Sequence, residues 1–116
     1  MDIIYDVVCH NNQWYWGESV DVICNNGAGM ICVKFDNKSF PNTAYICDLS
    51  VVETKRRNRL GTALLTYALN LARSKGMTFA RLHVDSKNIW LREWYQRLGF
   101  KELSRDENEI EMIKEL

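Results

Sequence analysis

Lys55-Arg56-Arg57-Asn58-Arg59-Leu60-Gly61-Thr62-Ala63-Leu64-Leu65 is the stretch on which the reading of this chain turns. An apolar, β-rich run, Ala44 to Val52, precedes it, and a helix-period run follows as far as Lys75. Leu60, Ala63, Leu64, Tyr67, Ala68, Leu71 and Ala72 recur at helical spacing, which predicts a helix with one buried stripe. Gly76, directly after Lys75, is placed for a left-handed residue that ends the helix. A loop between a strand and a helix offers unpaired N–H groups and the positive end of the helix dipole, which together favour phosphate. Four cations among the five residues Lys55 to Arg59 strengthen that pull. Gly61 costs stability in the first helical turn, about 1 kcal/mol against alanine. Its expected use is to let a ligand approach the backbone closely.

The basic run by itself would equally serve as a solvated loop or a nucleic-acid-binding cluster. The order of strand, basic loop with glycine, and amphipathic helix favours a phosphate cradle. Formal net charge is zero, which argues against a general polyanion binder and makes any anion site local. At 116 residues the chain has room for one domain, 1–116, with a single core. Hydrophobic residues at 47% and charged residues at 26% are ordinary for a globular protein, and one proline with six glycines leaves no linker.

Cys9, Cys24, Cys32 and Cys47 lie in or beside apolar runs, without C-x-x-C or histidine at metal-ligand spacing, so no metal is expected. They read as small buried hydrophobes in a reducing cytoplasm, and nothing in the sequence supports a Cys24–Cys32 redox pair. No signal-like leader or membrane-length apolar run is present.

Asp2 to Cys9 is expected to form a strand near an edge. His10 to Glu18, with Trp14 and Trp16, fits either a strand or a loop, and its aromatic rings are expected to close the bottom of the core. Ser19 to Cys24 and Met30 to Phe35 read as a hairpin around Asn25-Asn26-Gly27-Ala28-Gly29. Asp36 to Thr43 reads as a loop carrying Pro41, and Ala44 to Val52 as a central strand. Phe79 to Val84 is a further strand, joined to 44–52 by a helical crossover that makes the two parallel neighbours. Asn88 is placed to cap a second helix, Ile89 to Leu98, that stops at Gly99. Phe100 to Leu103 continues as a strand, and Glu109 to Leu116 as a strand or an extension. The predicted class is α+β: a mixed, mostly antiparallel central sheet with two main helices and a compact N-terminal region.

Leu49-Ser50-Val51-Val52-Glu53-Thr54-Lys55-Arg56-Arg57-Asn58-Arg59-Leu60-Gly61-Thr62-Ala63-Leu64-Leu65 resembles the acetyl-CoA site of the GNAT superfamily of N-acetyltransferases. Asn88 followed by Tyr95-Gln96-Arg97-Leu98-Gly99-Phe100 is similar to that family's second signature, and the two together cover residues 44 to 104. The chain departs from the pattern at Arg59, where the family usually has the first glycine of its loop. It is also short in the N-terminal third, where the family usually has a pair of helices that shape the acceptor site.

The resemblance implies transfer of an acetyl group from acetyl-CoA to a primary amine by direct attack in a ternary complex. It implies that Arg56, Arg57, Asn58, Arg59, Gly61 and Thr62 hold the pyrophosphate, that the backbone of Leu49 and Val51 pairs with pantetheine, and that Asn88 holds the same arm. Tyr95 matches the position that protonates the departing thiolate, against a plainer reading as a packing aromatic. A lysine-like amine is neutral in only about one molecule in a few thousand at pH 7, so a proton acceptor is needed. Asp48, a carboxylate in an otherwise apolar strand, is the first candidate, ahead of His83 and Asp85, and then Glu53. The acceptor is a small-molecule or peptide amine, and a homodimer completing the pocket stays open. The alternative is a module that holds CoA or acyl-CoA without turnover.

Overall fold

The strand-forming and helix-forming runs assemble into one seven-stranded sheet with two helices, described by a computed structural model for residues 3–11, 16–37, 40–51 and 59–116. The strands are β1 (Tyr5–Asn11), β2 (Trp16–Cys24), β3 (Gly29–Asn37), β4 (Phe40–Val51), β5 (Phe79–Asp85), β6 (Lys101–Arg105) and β7 (Glu109–Glu115). The helices are α1 (Leu60–Ser74) and α2 (Ile89–Arg97). Sheet order is β1-β2-β3-β4-β5-β7-β6, which puts β1 at an edge as its sequence suggested. Every neighbouring pair is antiparallel except β4 with β5. The predicted α+β class with a mixed, mostly antiparallel sheet is what forms.

Period-two burial explains the layering. Val20, Val22 and Cys24, then Ile31, Val33 and Phe35, then Ala44 and Ile46, then Ala80, Leu82 and Val84, and finally Ile110 and Met112 are all buried on one face. Leu60, Leu64, Leu65, Ala68, Leu69 and Ala72 of α1, with Tyr95 and Phe100 at α2, belong to the same core. Between these residues on the strands stand Asp21, Cys32, Lys34, Tyr45, Cys47, Arg81, His83 and Glu111, all half-buried or exposed.

Both helices end in the same way, and the glycines decide it. Gly76 has φ +83 and Gly99 has φ +99. Met77 N–H donates to the Ala72 carbonyl at 3.0 Å and Gly76 N–H to Arg73 at 3.0 Å; Phe100 to Tyr95 and Gly99 to Gln96 repeat the pattern at 3.0 Å each. At the start of α2 the Asn88 side-chain oxygen accepts from Leu91 N–H at 3.1 Å, the predicted cap.

Three expectations need correction. The buried stripe of α1 is rotated: Leu65 and Leu69 are buried, whereas Ala63, Tyr67 and Leu71 are only half-buried. Tyr67 sits at the margin of the core, stacked on Tyr5 with ring centroids 4.4 Å apart. Pro41 belongs to β4 rather than a loop, and it is tolerated because the β3–β4 register slips between Phe35 and Asn37, where no ladder donor is required. The cysteines are not uniformly buried: Cys24 is, Cys32 and Cys47 are half-buried on the opposite face, and Cys9 is exposed. Cys24 and Cys32 therefore point to different faces, whereas Cys32 stands directly across from Cys47. Trp14, Glu53 and the whole segment 52–58 lie outside the described residues.

Candidate active site

The parallel pairing of β4 with β5 is short. It comprises Thr43 with Phe79, Ala44 with Ala80 and Tyr45 with Arg81, and it ends there, although both strands run on. Beyond that point β4 keeps β3 and β5 keeps β7. The sheet thus opens at its centre, one residue pair past Tyr45.

A β-bulge shapes the β4 side of the opening. Met30 pairs with Ser50 and Cys32 with Cys47, so β4 carries one residue more than β3 over this interval. Asp48 takes φ +53 there. One extra residue reverses the alternation of every side chain after it. Asp48, which would otherwise follow the buried parity of Ala44 and Ile46, is exposed, and Leu49 and Val51 are half-buried. A side chain added at Gly61 would meet Val51 Cγ2 at 3.9 Å, which puts Val51 against the start of α1.

The first turn of α1 suits an anion. The Arg59 side chain does not cap it, and no acidic residue stands in it. Its N-cap is Arg59, exposed, in left-handed geometry at φ +60 and ψ 16. A non-glycine residue there costs about 1 kcal/mol, so Arg59 occupies a conformation that glycine would adopt freely. Thr62 is half-buried. The missing Cβ of Gly61 points toward the Trp94 indole at 3.8 Å, ordinary contact, so packing within the protein leaves room for an alanine. Arg56, Arg57 and Asn58 fall outside the described residues.

Tyr95, on α2, is 5% exposed, with its ring edge-on to Trp94 and Phe100 at 5.0 and 5.5 Å. Burial pushes its phenol up to about 12. Asp85 is committed elsewhere: its carboxylate accepts from Lys87 N–H at 2.8 Å, an Asx turn that leads into α2.

Tyr45 went unnoticed in the sequence, and the structure gives it a partner. Its hydroxyl is hydrogen-bonded to His83 Nδ1, while His83 Nε2 lies 3.9 Å from Glu111 Oε2 and Arg81 pairs with the other oxygen of Glu111. Burial, and then the neighbouring Cys47, raise the Tyr45 phenol; Asp48 is near enough to raise it further. The available signal was an aromatic on β4 paired with Arg81, two residues short of a histidine on the next strand. An aromatic within an apolar strand reads as core, which concealed it. Among the described residues no cluster of three or more metal-ligating side chains occurs.

The Acetyltransferase (GNAT) family profile matches residues 7–100. N-alpha-acetyltransferase 50 of Danio rerio is 30% identical over 88 residues, 74% of this chain and 52% of that protein, so the chain spans about half the length of this relative. The PaiA N-acetyltransferase of Thermoplasma acidophilum, solved with coenzyme A, superposes with a TM-score of 0.72 at 23% identity, over 84% of this chain and 60% of that one. The ribosomal-protein-S18-alanine N-acetyltransferase of Escherichia coli gives 0.71 at 20% identity, over 90% and 70% of the two chains. At such identities the two structures speak for the fold, and the profile, spanning most of the sequence, speaks for descent. The parted strands, the bulge and the acid-free helix start are thus features of a chain that belongs to the Acetyltransferase (GNAT) family.

Proposed function

We propose that this protein transfers an acetyl group from acetyl-CoA to the α-amino group of a polypeptide, by direct attack within a ternary complex. The observation that carries the reading is the Tyr45–His83 hydrogen bond at the point where β4 and β5 part. Of the similar proteins, one is by name an N-alpha-acetyltransferase and another a ribosomal-protein-S18-alanine N-acetyltransferase, and this supports the choice of acceptor.

The residues present suit the cofactor. The acid-free start of α1 favours the pyrophosphate, with Gly61, Thr62 and Arg59 there and Arg56, Arg57 and Asn58 preceding it. The backbone of Leu49 and Val51, just past the bulge, would hold the pantetheine arm, and so would the amide nitrogen of Asn88, whose oxygen is already used as a cap. Acetyl-CoA supplies an acetyl group activated as a thioester.

Proton handling falls to the chain. With His83 Nδ1 accepting from the Tyr45 hydroxyl, Nε2 bears the imidazole proton and faces Glu111. Tyr45 oxygen takes the proton of the attacking amine as its own proton passes to His83 Nδ1, and Glu111 stabilises the imidazolium. An α-amine, with a pKa near 8, is neutral in about one molecule in ten at pH 7, so so mild a pair suffices. Asp48, exposed nearby, is placed to attract the cationic form of the amine before it loses its proton. Tyr95, held protonated by burial, donates a hydrogen bond to the departing sulfur.

The test is release of free CoA from acetyl-CoA in the presence of a peptide with a free N-terminus, against the same peptide with its N-terminus blocked. Release only with the first supports the reading.

A further inference from the structure

The second face of the sheet carries a feature that acetyl transfer does not use. Cys32 and Cys47 stand directly opposite each other on β3 and β4, on the same face, both half-buried and both free thiols. Directly opposed residues of an antiparallel pair have Cα atoms about 4.5–5.5 Å apart, inside the span a disulfide bridges without backbone movement. Cys47 is two residues from Tyr45 on the same strand face, and Lys34, opposite Tyr45, is the cationic neighbour. We propose that Cys32 and Cys47 form a peroxide-responsive dithiol, closing a cross-strand disulfide beside the acetyl-transfer site and slowing transfer when closed.

The chemistry is balanced with hydrogen peroxide as oxidant. The Cys47 thiolate attacks one peroxide oxygen, the O–O bond breaks, and the leaving hydroxide takes up the thiol's proton as water. Cys32 sulfur then attacks the Cys47 sulfenic acid, an S–S bond forms, and the hydroxyl departs with the Cys32 proton as a second water. Roles follow from the surroundings. Contact with the Cys32 thiol, and Lys34 beyond it, hold the Cys47 thiol below its usual range, whereas the same contact and burial push Cys32 well above it. Cys47 is accordingly the attacking thiol and Cys32 the resolving one. A covalent link at this level ties β3 to β4 beside the Asp48 bulge, where β4 must stay shaped for its ligand.

The effect on transfer rests on the function proposed above, and the disulfide does not. Purified protein is treated with hydrogen peroxide, digested without reduction, and mapped by mass spectrometry, with CoA release measured before treatment, after it, and after dithiothreitol. The expected result is one peptide joined through Cys32 and Cys47, with transfer falling at least several-fold and returning on reduction. Cys32→Ala should lose both responses, and Cys9→Ser, at an exposed thiol on β1, should keep them. Linkage through Cys9 or Cys24, unlinked over-oxidised Cys32 and Cys47, or linkage with unchanged transfer overturns the proposal. Should Cys32→Ala fail to fold, the map of the unaltered protein decides. A protein that never releases CoA fails the earlier reading, and the map alone then judges the disulfide.

Discussion

The Tyr45 hydroxyl and His83 Nδ1 are hydrogen-bonded where β4 and β5 part, with Tyr45 in the last pair, opposite Arg81, and His83 two residues beyond it. Pairing on one side of them holds both strands in place, and the strands separate on the other. A phenol and an imidazole so placed meet whatever enters the opening, and Glu111, itself held by Arg81, stands behind the imidazole.

Tyr45→Phe removes the hydroxyl and keeps the ring. It should lower kcat by about 10²-fold, near the lower end of what a positioned acid–base group contributes, with little change in acetyl-CoA affinity. His83→Gln should act in the same direction and, combined with Tyr45→Phe, add little more, because the two act as a unit. Steady-state kinetics with a fixed peptide acceptor check this, and additive losses would separate the residues.

Arg56→Ala with Arg57→Ala should weaken CoA binding far more than it changes thermal stability, since the pull on phosphate is local in a chain of zero net charge. Calorimetric titration with CoA beside a melting curve gives both quantities. Equal melting loss with unchanged affinity would remove the phosphate role.

Gly61→Ala separates packing from ligand approach. Among the described residues the added methyl meets Trp94 and Val51 at ordinary contact, and alanine is the better helix former by about 1 kcal/mol. The free protein should therefore melt at a higher temperature, while CoA affinity falls. Higher melting with unchanged affinity would show that the glycine serves no ligand.

Gly29→Ala should go the other way. A methyl there would lie 2.8 Å from Leu64 Cδ1, 3.1 Å from Cys24 Sγ and 3.3 Å from the Ser50 carbonyl, with α1 pressed against β3. Overpacking of this kind costs about 1–3 kcal/mol, readable as a lower urea midpoint.

Tyr95 links stability to pH. Its folded pKa, about 12, lies above the ordinary value of 10.0, so the folded state keeps a proton that the unfolded chain loses. The stabilisation is complete below pH 10 and disappears as pH rises through 12, by about 2–3 kcal/mol in all. Tyr95→Phe should flatten that part of the pH profile of unfolding, keep CoA affinity and slow turnover. Unchanged turnover would return Tyr95 to a packing role.

Much of this was legible in the sequence, for definite reasons. Helix α1 announced itself through apolar spacing and Gly76, and Asn88 announced the start of α2, because both signals depend on neighbours close in the chain. The rotation of α1 was not legible, since Tyr67 stacks at the core's margin on a ring of β1, more than sixty positions away in sequence. The exposure of Asp48 depends on a bulge at a non-glycine residue with positive φ, which carries no compositional mark. Tyr45 gains its meaning only from His83 on another strand. Local devices can be read along the chain; the proposed proton pathway needs the strands to be paired first.

The central claim is that an amine is acetylated where β4 and β5 part. Its most direct measurement is CoA release, with mass analysis of the acceptor, for one peptide carrying a free N-terminus, the same peptide blocked, and the Tyr45→Phe protein alongside. The account predicts release with a gain of about 42 Da, the mass of one acetyl group replacing hydrogen, on the free peptide only, sharply reduced in the variant. Tight binding of acetyl-CoA with no release on any amine would contradict it and leave a protein that holds the cofactor without using it.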